Sequence, residues 1–167
     1  LEDWFNKLAS GGAFSTASLS KAVPLGPAIV RAVAKVLEMM SARTVPTQRA
    51  VWYIRIAVLN ECVKQIRPDR PAPSPRVFWT RQLCGLLKAE VEAMRAKKYP
   101  PNREEFWDYV LDLARWQADE ALLDVDLWLE RIVACVKTDL GLGGGLGLSP
   151  SGRVSLRAAE TFFEDFK

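Results

Sequence analysis

Prolines and glycines divide this chain into segments of helical length. The sequence contains ten residues of each type. Proline removes a backbone donor and clashes with the preceding turn, whereas glycine disfavours a helix by roughly 0.8–1 kcal/mol relative to alanine. Between these breaks, apolar residues recur at spacings of three and four, and no stretch alternates convincingly between apolar and polar residues. The pattern therefore predicts an all-α fold.

The breaks predict an irregular multi-helix bundle of about six to seven helices. The small-residue stretch over residues 13–27 is expected to be irregular, with Leu19 and Val23 as apolar anchors. Helices are expected from Leu1 to Ser10, from Gly26-Pro27, from Pro46 or Thr47 to Pro68, from about Arg76 to Lys98, from Asn102, from Asp124 to Gly141, and over the last residues of the chain.

Three regions follow from this division. Residues 1–140 are expected to form a helical scaffold domain, residues 141–152 a flexible glycine-rich loop, and residues 153–167 a terminal amphipathic helix. A proline-rich connector, "RPDRPAPSP" over residues 67–75, interrupts the first region. Since Leu1 begins in mid-pattern without a methionine, the chain is expected to be part of a longer protein.

The composition argues against an enzyme. Histidine is absent, which removes the most common general base near neutral pH and the most common metal ligand. The three cysteines, Cys62, Cys84 and Cys135, are far apart and are expected to be buried thiols in a reducing compartment. The glycine-rich loop follows no strand and lacks the Gly-Lys-Ser/Thr step of a phosphate-binding loop. We therefore expect no catalytic residues, no cofactor and no metal.

The charge and the hydropathy of the sequence limit the classes of partner that this chain is expected to bind. The formal net charge of +3 is small and spread along the chain, which argues against direct nucleic-acid binding. No apolar stretch approaches the roughly 20 residues that cross a bilayer, so no membrane partner is expected. Acidic pairs occur near predicted helix starts, at Glu104-Glu105 and at Asp124 and Asp126. Helix capping explains these carboxylates better than acid–base chemistry does.

One arginine lies on the apolar side of the most apolar helix. On a wheel at about 100° per residue, Arg55 falls among apolar side chains, whereas Arg49 and Lys64 lie opposite. An unpaired buried guanidinium is strongly unfavourable, so Arg55 is expected to contact a carboxylate or a backbone carbonyl. It either fixes helix register or faces a partner. The candidate carboxylates are Asp108, Asp112 and Asp124.

The six tryptophans allow two interpretations. Together with arginines they could stack on single-stranded nucleic acid. Most of them fall in helical apolar patterns, however, so packing in the core explains them better. The residues concerned are Trp4, Trp79, Trp107, Trp116 and Trp128.

The chain contains an ordered series of short motifs, which are "WFNKLAS", "LSKAVPLG", "VPTQRAVWYIRIAVLNE", "VFWTRQLCGLL" and "FWDYVLDLARWQADEALLDVDLWLERIV". Together they resemble the amino-terminal conserved domain of the Mediator complex subunit 12 family. The resemblance is ordered and spans most of residues 1–140. It departs from the family at Val23-Pro24-Leu25-Gly26 and at Val58-Leu59, which puts local contacts in doubt but not the order of helices.

The resemblance implies a nuclear, non-catalytic scaffold in regulation of RNA polymerase II transcription. Such a scaffold connects the Mediator cyclin-dependent kinase and cyclin C to the other large subunit of the kinase module. In the family the kinase-activating segment lies upstream of the region that begins at Leu1. The family-motif or partner-binding residues implied here are Arg49, Trp52, Arg55, Asn60, Glu61, Trp79 and Arg81.

Two other functions fit the residues alone. One is a generic helical adaptor outside Mediator, which binds another protein through an apolar groove. The other is a helical module that contacts nucleic acid. Its candidate phosphate-binding residues are Arg43, Arg49, Arg67, Arg70, Arg76 and Arg81.

Overall fold

The computed structural model describes residues 1–25, 32–69, 71, 73–96 and 103–142. Within these ranges it contains seven α-helices and no strand, which confirms the predicted all-α fold. A short 3-10 turn lies on either side of the second helix. The helices are α1 (Glu2–Ala9), α2 (Thr16–Leu19), α3 (Val33–Ala42), α4 (Thr47–Lys64), α5 (Pro75–Arg95), α6 (Arg103–Asp119) and α7 (Val125–Leu142).

The start of the chain folds onto the bundle through one apolar face of α1. Phe5 and Leu8 on this face are fully buried. Gly11 follows the helix with φ of 62°, a left-handed conformation that glycine adopts without strain. The expectation of irregular structure from residue 13 onward is wrong in part. The Oγ of Ser15 accepts a hydrogen bond from the Ser18 N–H at 3.1 Å and so caps α2, which places Leu19 in the core.

The central helix α4 begins and ends near the predicted positions. Pro46 precedes its first residue, and the helix ends at Lys64, four residues before Pro68. It packs against α5 on one side and α6 on another. Its core-facing residues are Ala50, Val51, Tyr53, Ile54, Ala57, Val58 and Cys62.

The boundaries of α5 and α7 show which capping predictions succeed. Pro75 is the first residue of α5, one position before the predicted start at about Arg76, and the side chain of the preceding Ser74 caps no backbone N–H. Asp124 does cap α7, since its Oδ1 accepts from the Leu127 N–H at 3.2 Å. The helix continues to Leu142, which is two residues into the predicted glycine-rich loop.

Several predictions fall on residues that the structure does not describe. These are the helix start at Gly26-Pro27, the cap at Asn102, the remainder of the glycine-rich loop and the terminal amphipathic helix over residues 153–167. They remain predictions.

Helices α5 and α6 organise the rest of the bundle. Both contact α3 and α4, and α5 also packs against α7. One buried polar contact joins their ends: the Trp79 indole N–H donates to the Gln117 Oε1 at 2.8 Å. A second polar contact joins three helices, because Arg103 of α6 pairs with Glu38 of α3 and with Glu90 of α5. The arginine also lies over the Phe106 ring, 4.0 Å from its centroid.

The three cysteines are free and buried, as predicted. Burial raises the pKa of Cys84 to about 11, even though the neighbouring Arg131 acts in the opposite direction. Such a thiol is almost entirely protonated at neutral pH and is a poor nucleophile. Among the described helices, none is long and apolar enough to cross a membrane.

Candidate functional site

One face of α4 remains exposed although it carries large apolar side chains. Leu59 and Val63 of α4 are 46% and 64% exposed, and Ile66, just beyond the end of the helix at Lys64, is 56% exposed. Spacings of three and four residues align them with Trp52 and Arg55, which lie closer to the start of the helix. We call these five residues the α4 stripe. Single exposed apolar residues are normal on protein surfaces, but a continuous row of them marks an interaction surface.

The first half of the stripe opens into a groove between α4 and the end of α6. We call it the tryptophan groove. It is open to solvent and encloses about 240 Å³. Its aromatic and charged walls combine an apolar surface with directional hydrogen-bonding groups, which is the usual make-up of a protein recognition site. The lining residues are Gln48, Val51, Trp52, Arg55, Trp116 and Glu120.

Arg55 is held across this groove by Glu120. Its Nη2 donates to the Glu120 carboxylate at 2.9 Å and to the Glu120 carbonyl at 3.0 Å. The expected contact with a carboxylate or a carbonyl is therefore confirmed. The candidate partners Asp108, Asp112 and Asp124 are wrong, however. Asp124 caps α7 and pairs with Arg76 at 3.4 Å instead.

The exposure of the Arg55–Glu120 pair limits its contribution to stability. The two side chains are 43% and 47% exposed, so solvent screens their attraction and holding both in place opposes it. We expect Arg55→Ala to lower the free energy of unfolding by less than about 1 kcal/mol. Urea denaturation of Arg55→Ala, Glu120→Ala and the double variant measures the coupling. A loss of several kcal/mol in Arg55→Ala would contradict the exposed pair.

Only Nη2 of Arg55 is engaged. Its Nε and Nη1 make no hydrogen bond in the described part of the chain. Each pair of parallel N–H bonds in a guanidinium includes Nη2, so Nε and Nη1 can each donate one charged hydrogen bond to a further carboxylate, which binds with two parallel bonds only by sharing Nη2 with Glu120. The groove therefore offers an additional carboxylate a binding position between aromatic walls.

Trp52 connects this groove to the start of the chain. Its ring stacks on Trp4, with centroids 6.5 Å apart and planes 17° from parallel. Trp4 in turn packs on Tyr53, with centroids 5.1 Å apart. The orientation of the groove wall thus depends on α1 being docked against α4.

Arg49 holds α1 in that docked position. Its guanidinium donates to the carbonyls of Leu8 at 3.2 Å and Phe14 at 2.7 Å, and also to the carbonyl of Gly11. These carbonyls end α1 and form the turn after it, where no further helical N–H is present to bond them. Arg49 is therefore a structural connector between α4 and the start of the chain.

The remaining predicted site residues do not gather at the groove. Glu61 pairs with Lys64 at 3.6 Å on the surface of α4, and the neighbouring Asn60 is half-buried. Arg81 is exposed on α5. Trp79 is buried and bonded to Gln117, which makes it a packing residue of the core in this structure.

Two groove residues were missed by the sequence interpretation. Trp116 was expected to be a core residue but is 40% exposed, and Glu120 was not considered. A helical wheel could have predicted the exposure of Trp116, because the buried face of α6 passes through Val110 and Gln117. Trp116 immediately precedes Gln117, so it lies about 100° from that face. No comparable signal exists for Glu120, which follows the helix.

In a comparison with protein-family models, one model matches the beginning of the chain. Residues 1–55 of the 167 match the model described as transcription mediator complex subunit Med12. This range extends from α1 to Arg55 in the middle of α4. No curated protein and no solved structure matches the chain. Over residues 1–55, the family model confirms the resemblance to Mediator subunit 12.

Proposed function

We propose that this chain is a non-catalytic scaffold segment of the Mediator kinase module. In this role it connects the cyclin-dependent kinase and cyclin C to the other large subunit of the module, in the nucleus. The observation that carries the proposal is the match of residues 1–55 to the Med12 family model. The matched range contains Trp52 and Arg55, so the match extends into the beginning of the α4 stripe.

The structure supports a scaffold by its division between a rigid framework and an exposed apolar surface. Polar contacts between helices that are distant in sequence hold the framework together. They are the ion pairs of Arg103 with Glu38 and Glu90, and the hydrogen bond between Trp79 and Gln117. The α4 stripe and the tryptophan groove supply a surface on which a protein partner can bury apolar area. A scaffold needs both features, because a partner bound at a docking surface has a defined position only when the helices beneath that surface are fixed.

Reconstitution with purified components tests the proposal. The chain is mixed with recombinant cyclin C, its kinase and the other large subunit of the module, and the mixture is analysed by size-exclusion chromatography with mass determination. We expect a stoichiometric complex that an unrelated cyclin–kinase pair does not form. Failure to join the module, or equal binding to the unrelated pair, would favour the generic adaptor outside Mediator.

The proposal also predicts that the isolated chain has no turnover. Among the carboxylates that resemble acid–base residues, Asp124 has a structural role, since it caps α7 and pairs with Arg76. We expect no hydrolysis of ATP or other nucleotides above a blank, with or without added metal. Any effect on phosphorylation should appear only when a kinase and its cyclin are supplied, and should depend on assembly with them.

A matched variant separates weak intrinsic activity from contamination. Asp124→Asn keeps an oxygen that can cap α7 but removes the negative charge. Activity that survives repurification of the unmodified chain and disappears in Asp124→Asn would contradict the scaffold reading. Activity that is equal in both and falls with each purification step would belong to a contaminant.

A further inference from the structure

We propose that the α4 stripe and the tryptophan groove bind one amphipathic helix of a partner protein. That helix carries an apolar ridge and, at one end of it, a carboxylate that pairs with Arg55. The inference deepens the proposed scaffold function and rests on it for the setting in which the partner occurs. The surface itself is defined by the exposed residues on α4 and just after its end.

The dimensions of the surface fit a helix. From Trp52 to Val63 the helical part of the stripe extends about 16 Å, at a rise of about 1.5 Å per residue, and Ile66 lies just beyond the end of α4. Its exposed side chains occur once per turn, which leaves grooves between them for the ridges of a second helix. No described helix covers this face, whereas the opposite side of α4 is packed against α5 and α6. A helix laid along the stripe therefore buries Leu59, Val63 and Ile66 together.

The charge of the surface specifies the occupant further. Arg55 is the one charged residue of the α4 stripe, and it lies one turn before Leu59. Its Nε and Nη1 are without a described partner. Trp52 and Trp116 line the same groove and would exclude water from a contact made there, which strengthens a charged hydrogen bond. A carboxylate one turn beyond the apolar ridge meets these requirements, while a lysine in its place would be repelled.

Glu120 tunes this selectivity. Its carboxylate already neutralises part of the Arg55 charge, at 2.9 Å from Nη2. An incoming carboxylate must therefore share the guanidinium with Glu120 or displace it. Because Glu120 is half-exposed, its side chain has room to move aside. Removing its charge should then strengthen the binding of an acidic helix, although Glu120 lies outside the stripe.

A second copy of this chain fits the surface less well. Two stripes that pair about a two-fold axis near Leu59 would place Arg55 of each copy opposite Val63 of the other. Such an arrangement covers a guanidinium with an apolar side chain and leaves its charge without a new partner, which is unfavourable. The observed charge therefore favours a partner helix over self-association.

The test uses the full 167-residue chain and three synthetic helical peptides of about 18 residues. Each peptide is fluorescein-labelled and carries a leucine ridge at spacings of three and four. They differ at one position, one turn beyond the ridge, which is Glu, Gln or Lys. Fluorescence polarisation gives the affinities for the unmodified chain, Arg55→Gln, Glu120→Gln and Val63→Glu. Circular dichroism verifies that each variant is folded.

We expect the Glu peptide to bind at least about tenfold more tightly than the Lys peptide. Arg55→Gln should abolish that preference, and Glu120→Gln should increase the affinity for the Glu peptide severalfold. Val63→Glu should weaken all three peptides, since it places a charge in the apolar part of the stripe. Absence of saturable binding, equal affinities of the three peptides, or unchanged binding by Val63→Glu would overturn the inference.

Two further measurements separate the possible failures. Sedimentation equilibrium of the chain alone tests the second copy, and a dimer that Val63→Glu dissociates would overturn the partner helix. The same variant is then tested in the reconstituted kinase module. Peptide selectivity without module assembly would reject the proposed function and leave the docking surface in place. Assembly that Val63→Glu does not affect, together with unselective peptides, would reject the docking surface alone.

Discussion

Replacing Arg103 by methionine should destabilise the fold by about 3 kcal/mol or more, because it leaves a largely buried carboxylate unpaired. Arg103 donates from Nε to the Glu90 Oε2 at 3.1 Å, from Nη2 to the other oxygen of the same carboxylate, and from Nη1 to Glu38 at 2.6 Å. The side chains of Arg103 and Glu90 are each only 12% exposed. Methionine keeps the apolar stem over Phe106 but supplies no donor.

The hydrogen bonds to Glu90 are also the main reason that the pKa of Arg103 is raised well above its usual range. The guanidinium therefore stays charged at every pH at which the protein is studied. The loss of unfolding free energy in Arg103→Met therefore measures the cost of leaving the Glu90 carboxylate unpaired. A change in the protonation of the arginine does not contribute to it.

Urea denaturation followed by circular dichroism gives the free energy of unfolding. Glu38→Gln serves as the matched control, because Glu38 is about half-exposed in its contact with Arg103. We expect this variant to lose less than about 1 kcal/mol. Combining Arg103→Met with Glu90→Leu should restore part of the stability, since the unpaired charge is then removed. A loss below about 1 kcal/mol in Arg103→Met alone would show that Glu90 is solvated.

The helices were predictable because their signals are local. The apolar period and the prolines placed α4 and α5 within a few residues, and Asp124 was recognised as a cap. The end of α4 also follows from local sterics, although it was predicted too late. A proline ring clashes with the carbonyl four residues earlier, so Pro68 acts back to Lys64, where the helix ends. Short α2 was missed because one serine cap defines it.

The site was less predictable because its contacts join residues far apart in the chain. The position of Arg55 on an exposed face of α4 depends on where α6 ends against it. Glu120 reaches Arg55 from the turn after α6, in which Ala121 adopts a positive φ of 54°. The spacing of residues within α4 gives no information about this contact between Arg55 and Glu120. The carboxylates predicted from the sequence, Asp108, Asp112 and Asp124, therefore did not include Glu120.

Arg49 shows the same limitation in a family motif. The sequence placed it on the polar side of α4 and grouped it with residues that contact partners. The structure instead turns it toward carbonyls 35 to 41 residues earlier in the chain. A motif residue in the matched range thus serves the internal connection between α1 and α4, on which the stacking of Trp52 against Trp4 depends.

Arg49→Met should consequently release the start of the chain from the bundle. Hydrogen bonds to a charged group contribute about 1.5–3 kcal/mol each, and three carbonyls lose theirs together. Since water can rebond the more exposed of them, we expect a net loss of about 2–4 kcal/mol. Hydrogen–deuterium exchange should accelerate over residues 1–22, while α5 and α7 keep their protection. The fluorescence of Trp4 and Trp52 should shift to longer wavelength.

Arg81→Met is the matched control, because Arg81 is an exposed arginine on α5 and lies outside the connection between α1 and α4. It should leave exchange and fluorescence unchanged. Arg49→Lys tests the role of geometry: a lysine keeps the charge but replaces the planar fork by a single ammonium, so it should recover only part of the protection. Uniform acceleration across all helices in Arg49→Met would contradict a local connector and show that α1 unfolds only with the whole bundle.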